Sequence, residues 1–295
     1  MGLRAAVLLA IALVWALAAP AAAGRLAEPG EGPLLPGAPA PTLRGTLAMR
    51  TYSVDMYRLP GALDAPAIQA LGPLVEQAII SDTLELARGA PAHSAVGLAG
   101  RVAIRFEPPQ RGACAIRGLT LSNERTIRLF YGPEADQQRV LGILAHELFH
   151  QLQRDYYGER AHRRADVILL EGMATWGTRG FFRDASGEAV YQRRVREALG
   201  RGELLPLTTS LERDCRTTTR TVIYDQWASF VEFLLTVHGR ERFDALYRDS
   251  TGRAAGSANY RGVYGKSLEQ LEADWRAWLR VQSLGAERSA GGLRR

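Results

Sequence analysis

Residues 144–152 read Leu144-Ala145-His146-Glu147-Leu148-Phe149-His150-Gln151-Leu152. Side chains four apart lie one above the other on a helix, so the two histidines can offer imidazole nitrogens to one ion at about 2.0–2.1 Å. Glu147 falls about 100° around the same helix, beside that ion and not aimed at it, where a carboxylate can hold and deprotonate a water. Leu141, Leu144, Leu148 and Leu152 form a stripe on the opposite face. A helix over about Asp136–Asp155 would therefore bury its leucines against a sheet and present His146 and His150 to a cleft. With five histidines in 295 residues, composition alone is a poor source of this pattern.

A catalytic zinc takes three protein ligands and keeps one position open. The third candidate is Glu171, in Val167-Ile-Leu-Leu-Glu171-Gly-Met-Ala-Thr-Trp176. A carboxylate within so apolar a helix is costly to bury as an ion unless a cation compensates it. Gly172 and Ala174 are small enough to bring this helix close to the first. His162 competes for the role, but Arg160-Ala-His162-Arg-Arg164 reads as solvated loop. Hydrolysis of an amide also needs a donor for the oxyanion; Tyr224 is the first candidate, with His238 and Tyr156 behind it.

Outward from this segment the pattern is α+β. Val102, Ile104 and Phe106 alternate with polar or small residues, and Ile127, Leu129 and Tyr131 repeat the alternation, giving three short strands between Arg101 and Tyr131. Helices are expected over about Asp64–Ala87 (with a kink at Gly72-Pro73), Ala165–Trp176, Glu188–Leu199, Thr221–Val237 and Ser267–Val281. The last carries an apolar stripe at Leu268, Leu271, Trp275, Trp278 and Leu279, the mark of a docked helix.

The ends of the chain read differently. Met1 to Ala23 has one positive charge, an apolar run of about 15 residues and a small-x-small site, the features of a secretory signal peptide. Residues 24–60, with Pro29, Pro33, Pro36, Pro39 and Pro41 among glycines, read as a linker or arm. The catalytic domain then spans 61–284, and 285–295 reads as a disordered tail. Export, to a bacterial periplasm or the medium, places Cys114 and Cys215, the only two cysteines, where they should pair. No stable membrane insertion is expected once the leader is cleaved. The formal charge is +6, yet Lys266 is the only lysine and the arginine clusters are short and broken by acids. That balance reflects GC-rich coding more than a nucleic-acid surface, and no nucleic acid is expected as a partner.

In active-site pattern the chain resembles the gluzincin metallopeptidases, within them the peptidase MA-like domains. The resemblance rests on His146-Glu147-x-x-His150, Glu171 opening an E-G-x-A-x-W segment, Tyr224 in Tyr-Asp-Gln-Trp-Ala-Ser-Phe-Val, and the Leu-Glu-x-x-Trp-x-x-Trp-Leu ending, and covers about Val140 to Leu279. It implies a zincin-like fold, with a small mixed sheet, an active-site helix beneath a cleft and a mainly helical C-terminal lobe. It also implies one zinc per chain held by His146, His150 and Glu171, Glu147 as general base, and a peptide or protein substrate. An extended substrate backbone is most economically held as an added strand along an edge of the Arg101–Tyr131 sheet. Thr175 stands where such enzymes often carry an acid that orients a histidine. The metzincin pattern fails at Gln153 and Tyr156, and a deformylase pattern lacks its cysteine. A zincin-fold protein that binds a cell-envelope partner without turnover is the alternative.

Overall fold

The computed structural model describes residues 45–291, except His93 and residues 212–214. The expected leader, most of the expected arm and the last four residues lie outside the described residues. The fold is α+β, a five-stranded mixed sheet followed by a larger set of helices.

The sheet is built from β1 (Thr46–Arg50), β2 (Val54–Arg58), β3 (Val102–Glu107), β4 (Gly118–Leu121) and β5 (Thr126–Phe130), in the order β1-β2-β3-β5-β4. The pairs β2/β3 and β3/β5 are parallel; the outer pairs β1/β2 and β4/β5 are antiparallel. The three expected strands are present. β1 and β2 are additions, and they correct the arm, which was expected to reach residue 60. Val54 and Met56 are fully buried with Asp55 between them, a period of two too short to stand out after a proline-rich stretch.

Between β2 and β3 runs α1 (Ala65–Ala87), opened by Asp64, whose carboxylate accepts from the Ala67 amide at 2.8 Å. It continues through Pro73. Gly72 lets it sit on β1, since a Cβ there would lie 2.7 Å from the Met49 methyl. β5 leads into α2 (Gln137–Tyr157), capped by Asp136 at its start and ended by Gly158 at φ 84°. Then come α3 (Glu159–Arg164), α4 (Val167–Gly177), α5 (Val190–Arg201), α6 (Thr217–Phe233), which widens into a π turn at Leu234–His238, α7 (Arg240–Arg248), α8 (Tyr260–Tyr264) and α9 (Leu268–Gly291). α9 overrides the expected tail as far as Gly291: Gly285 does not break a helix already docked through Leu271, Trp275 and Leu279.

There are two apolar cores, and α2 belongs to both. Val140, Leu141, Leu144 and Leu148 pack with the sheet and α1, while Phe149 and Leu152 pack with α4, α6 and α9. The leucine stripe is thus buried, Leu141, Leu144 and Leu148 against the sheet as expected and Leu152 in the helical core instead, and the histidine face is left between the sheet edge and the helical layer.

Cys114 and Cys215 form a disulfide with Cα atoms 5.1 Å apart, closing a separation of 101 residues. It joins the segment entering β4 to the segment entering α6. Among the described residues no helix is long and apolar enough to cross a membrane.

Candidate metal centre and cleft

His146 and His150 leave the same face of α2 with their rings 4.8 Å apart, edge to face. Glu171 reaches them from α4. Its Oε2 lies 3.2 Å from His146 Nε2 and 3.3 Å from His150 Nε2, and one ligand atom from each residue falls within 4.8 Å of the others. α4 is placed for this by Asp166, which accepts from the Ile168 amide at 3.0 Å, and by two glycines. Gly172 faces α6, where a Cβ would sit 2.6 Å from the Trp227 carbonyl oxygen. Gly177, not Gly172, admits α2, because its Cβ would collide with the Phe149 ring. Gly172 thus sets the distance to α6, a correction to its expected role.

These groups fit a divalent cation. His150 Nδ1 lies 2.9 Å from Gln153 Oε1, and Gln153 Nε2 donates to the Leu170 carbonyl at 3.0 Å. With its NH2 committed to a carbonyl, the Gln153 amide oxygen accepts from His150 Nδ1–H. The Nε2 lone pair then faces the Glu171 carboxylate, and two acceptors at 3.3 Å require a cation between them. A proton meets that need at one contact; a divalent ion meets it at all three. Burial pushes the Glu171 carboxyl up, but His150 and His146 outweigh it and hold the group far below the usual carboxylate range. Burial likewise lowers His150, and Glu171 overcomes it, leaving the imidazole above its ordinary value. Two imidazoles and one carboxylate are a donor set that zinc takes.

Glu147 is buried beside this group and points to the sheet edge. Thr120 Oγ1 of β4 lies 2.6 Å from its Oε2 and 2.9 Å from its backbone oxygen. Gly118 supplies the room, since a Cβ there would run into the Glu147 side chain. Across the cleft, Tyr224 of α6 holds its ring nearly parallel to His146, at 6.2 Å between centroids. Burial first, and the Glu171 charge second, push the Tyr224 phenol well above its ordinary value, so it stays an O–H donor at neutral pH.

The sequence candidates therefore separate. His146, Glu147, His150, Glu171 and Tyr224 all border one cleft of about 670 Å³, between the β4 edge and α2, α4, α5 and α6. His238 and Tyr156 do not. His238 sits between the Phe233 and Tyr264 rings, and Tyr156 donates to Asp244 at 2.8 Å. His162 is not in a solvated loop: it is buried on α3 with Nε2 3.1 Å from Ser122 Oγ and Nδ1 3.2 Å from the Tyr247 hydroxyl. Both nitrogens are committed away from the three-residue group, and burial pushes its pKa down to about 3. Thr175 lines the cleft, and the histidine-orienting role falls to Gln153, only three residues after the ligand it holds. Thr120 and Gly118 left no signal, because their partner is 27 and 29 residues away in sequence.

No family model matches the chain, and no curated protein or solved structure is significantly similar to it.

Proposed function

We propose that this chain is an exported, zinc-dependent peptidase of gluzincin type on a zincin-like fold. The observation that supports it above all is the convergence of His146, His150 and Glu171 with Glu147 beside them, at an open cleft bordered by an edge strand. A purely structural ion would gain nothing from a non-ligand carboxylate held in place by Thr120, and would call for a fourth protein ligand. Among the described residues no other His, Cys, Asp or Glu joins the group.

When bound by His146, His150 and Glu171, zinc supplies Lewis acidity, polarising the scissile carbonyl and making water a stronger acid. Glu147 accepts the proton of the attacking water and returns it to the leaving amine, so that water and one amide become a carboxylate and an amine. Tyr224, kept protonated by burial, donates its O–H to the carbonyl oxygen as negative charge develops there. β4 has one edge paired to β5 and the other unpaired within the sheet, where an extended peptide can add its main chain beside Glu147. Gln153 fixes the His150 tautomer.

The test is metal content by mass spectrometry on the chain from Gly24, together with peptide hydrolysis. About one zinc per chain is expected, lost or much weakened in His146→Ala and Glu171→Ala. Hydrolysis should vanish in Glu147→Gln with zinc retained. A wild-type chain that takes up no zinc on reconstitution, or that binds zinc but cleaves no peptide in a diverse library, would leave a non-catalytic binding protein.

A further inference from the structure

The cleft carries more positive charge than the proposed chemistry needs. Five arginines line it, and two are matched: Arg179 pairs with Glu85 at 2.7 Å and Arg194 with Asp225 at 3.3 Å. The other three are Arg117, Arg220 and Arg253, and among the described residues no carboxylate lies within ion-pair distance of any of them. Arg117 directly precedes β4 and leans over the Tyr131 ring at 5.9 Å. Arg220 lies one turn before Tyr224 on α6, with one guanidinium nitrogen donating to the Cys215 carbonyl at 3.1 Å. Arg253 is exposed in the loop after α7, on the side of the cleft where His162 is buried.

Among the described residues, the carboxylates that face the same space do not balance these cations. With zinc held by two neutral imidazoles and Glu171, the two charges of the ion are offset by Glu171 and Glu147, so neither carboxylate is left over for the arginines. Asp225 is bound to Arg194, and burial pushes it up to about 6, weakening its charge near neutrality. The three arginines stand at separate places around the cleft, on the β4 wall, the α6 wall and the loop after α7. A guanidinium presents a planar fork of N–H donors that matches a carboxylate. Field lines in a cleft with low-dielectric walls are focused, so this charge acts on what enters.

We propose that the cleft selects acidic peptides, with Glu or Asp side chains flanking the bond to be cut and seated on Arg117, Arg220 and Arg253. This rests on the peptidase reading of the site, and it names the substrate class. The edge of β4 takes the peptide main chain, which makes an extended polypeptide a better fit than a branched anionic polymer.

The experiment compares three matched peptide series on the zinc-loaded chain, identical except for Glu, Gln or Lys at the positions flanking the scissile bond. Glu peptides should exceed Gln peptides by about tenfold in kcat/KM, with Lys peptides lowest. The Glu/Gln ratio should shrink as salt rises from low to molar concentration, and should fall towards one in Arg117→Gln and Arg253→Gln. Equal cleavage of Glu and Gln peptides, or a ratio that the arginine variants leave unchanged, would overturn the proposal. In parallel, binding of the same labelled peptides to Glu147→Gln is read by fluorescence anisotropy. If nothing is cleaved but Glu peptides bind tightest and lose that advantage in the arginine variants, the peptidase reading fails and the charge selectivity stands. Charge-indifferent binding removes the selectivity whatever the catalytic result.

Discussion

Thr120 on the edge strand and Glu147 on the histidine helix are bound to each other, hydroxyl to carboxylate at 2.6 Å, so the sheet and not the helix alone aims the candidate base. Replacing Thr120 by Val removes that donor with little change in shape. Turnover should fall about 10- to 100-fold while zinc content holds at the wild-type level. Gly118→Ala should do at least as much, because its Cβ needs space the Glu147 side chain occupies. Undiminished kcat in Thr120→Val would show that Glu147 needs no such support.

Gln153 ties His150 Nδ1 to the Leu170 carbonyl, a link from one ligand to the helix carrying another. Gln153→Leu frees the imidazole to rotate and to adopt the other tautomer. Zinc affinity, measured by competition with a chromogenic chelator, should weaken by about 10- to 100-fold, and Gln153→Glu, which keeps the acceptor for Nδ1–H but loses the donor to Leu170, should recover only part of it. Unchanged affinity in Gln153→Leu would mean that packing alone holds the ring.

Tyr224→Phe deletes one oxygen and keeps the ring beside His146. If the phenol serves the oxyanion, kcat should drop about 100-fold or more with KM and zinc stoichiometry nearly constant. A variant with wild-type turnover takes Tyr224 out of the mechanism.

Buried His162 stays neutral in the folded chain down to about pH 3, against an ordinary value of 6.5. Its contribution is intact above pH 6.5. Below that the unfolded chain binds a proton that the folded chain refuses, so stability falls with pH until about pH 3. By pH 4.5 the loss from this residue alone should be about 2–3 kcal/mol. Urea melts of wild type and His162→Gln at pH 7.5 and 4.5 check this: the variant's stability should depend less on pH, and parallel losses would reassign the acid sensitivity to other groups.

Asp82 on α1 is fully buried, and neither carboxylate oxygen has a hydrogen-bond partner among the described residues. Burial, with the Glu85 charge adding to it, raises its pKa well above the usual carboxylate value. The folded chain keeps the proton while the unfolded chain releases it above about pH 4, so this residue costs more stability as pH rises. Asp82→Leu should raise Tm, and by more at pH 8 than at pH 5. A lowered Tm at both values would point to an ordered water serving the carboxylate.

What the sequence disclosed depended on the range of the interaction. The histidine spacing and the leucine stripe are local, and each can be read from one helix. Glu171 stood out because an acid in an apolar helix needs a cation, which is a statement about one segment and its solvent. Thr120 and Gly118 became visible only when β4 was laid beside α2, and nothing within either segment announces that pairing. Gln153 was overlooked for another reason: as a neutral amide it contrasts with the acidic residue expected to orient a histidine. Strands β1 and β2 are five residues each and follow a run of prolines, so their alternation was too brief to outweigh the composition before them.

The bridge between Cys114 and Cys215 has a topological consequence. His146, Glu147, His150, Gln153 and Glu171, with Gly118 and Thr120, all lie between the two cysteines, so all three groups that would hold the ion, and the candidate base, sit inside one covalent ring closed across 101 residues, with Tyr224 just outside it. A single backbone cut anywhere in that ring, as at the exposed turn around Ser186, opens it but releases nothing. Both fragments stay on one molecule. Where proteases are present, a nicked chain of this kind retains its full complement of donors at high effective concentration, and reduction is needed before the pieces can part.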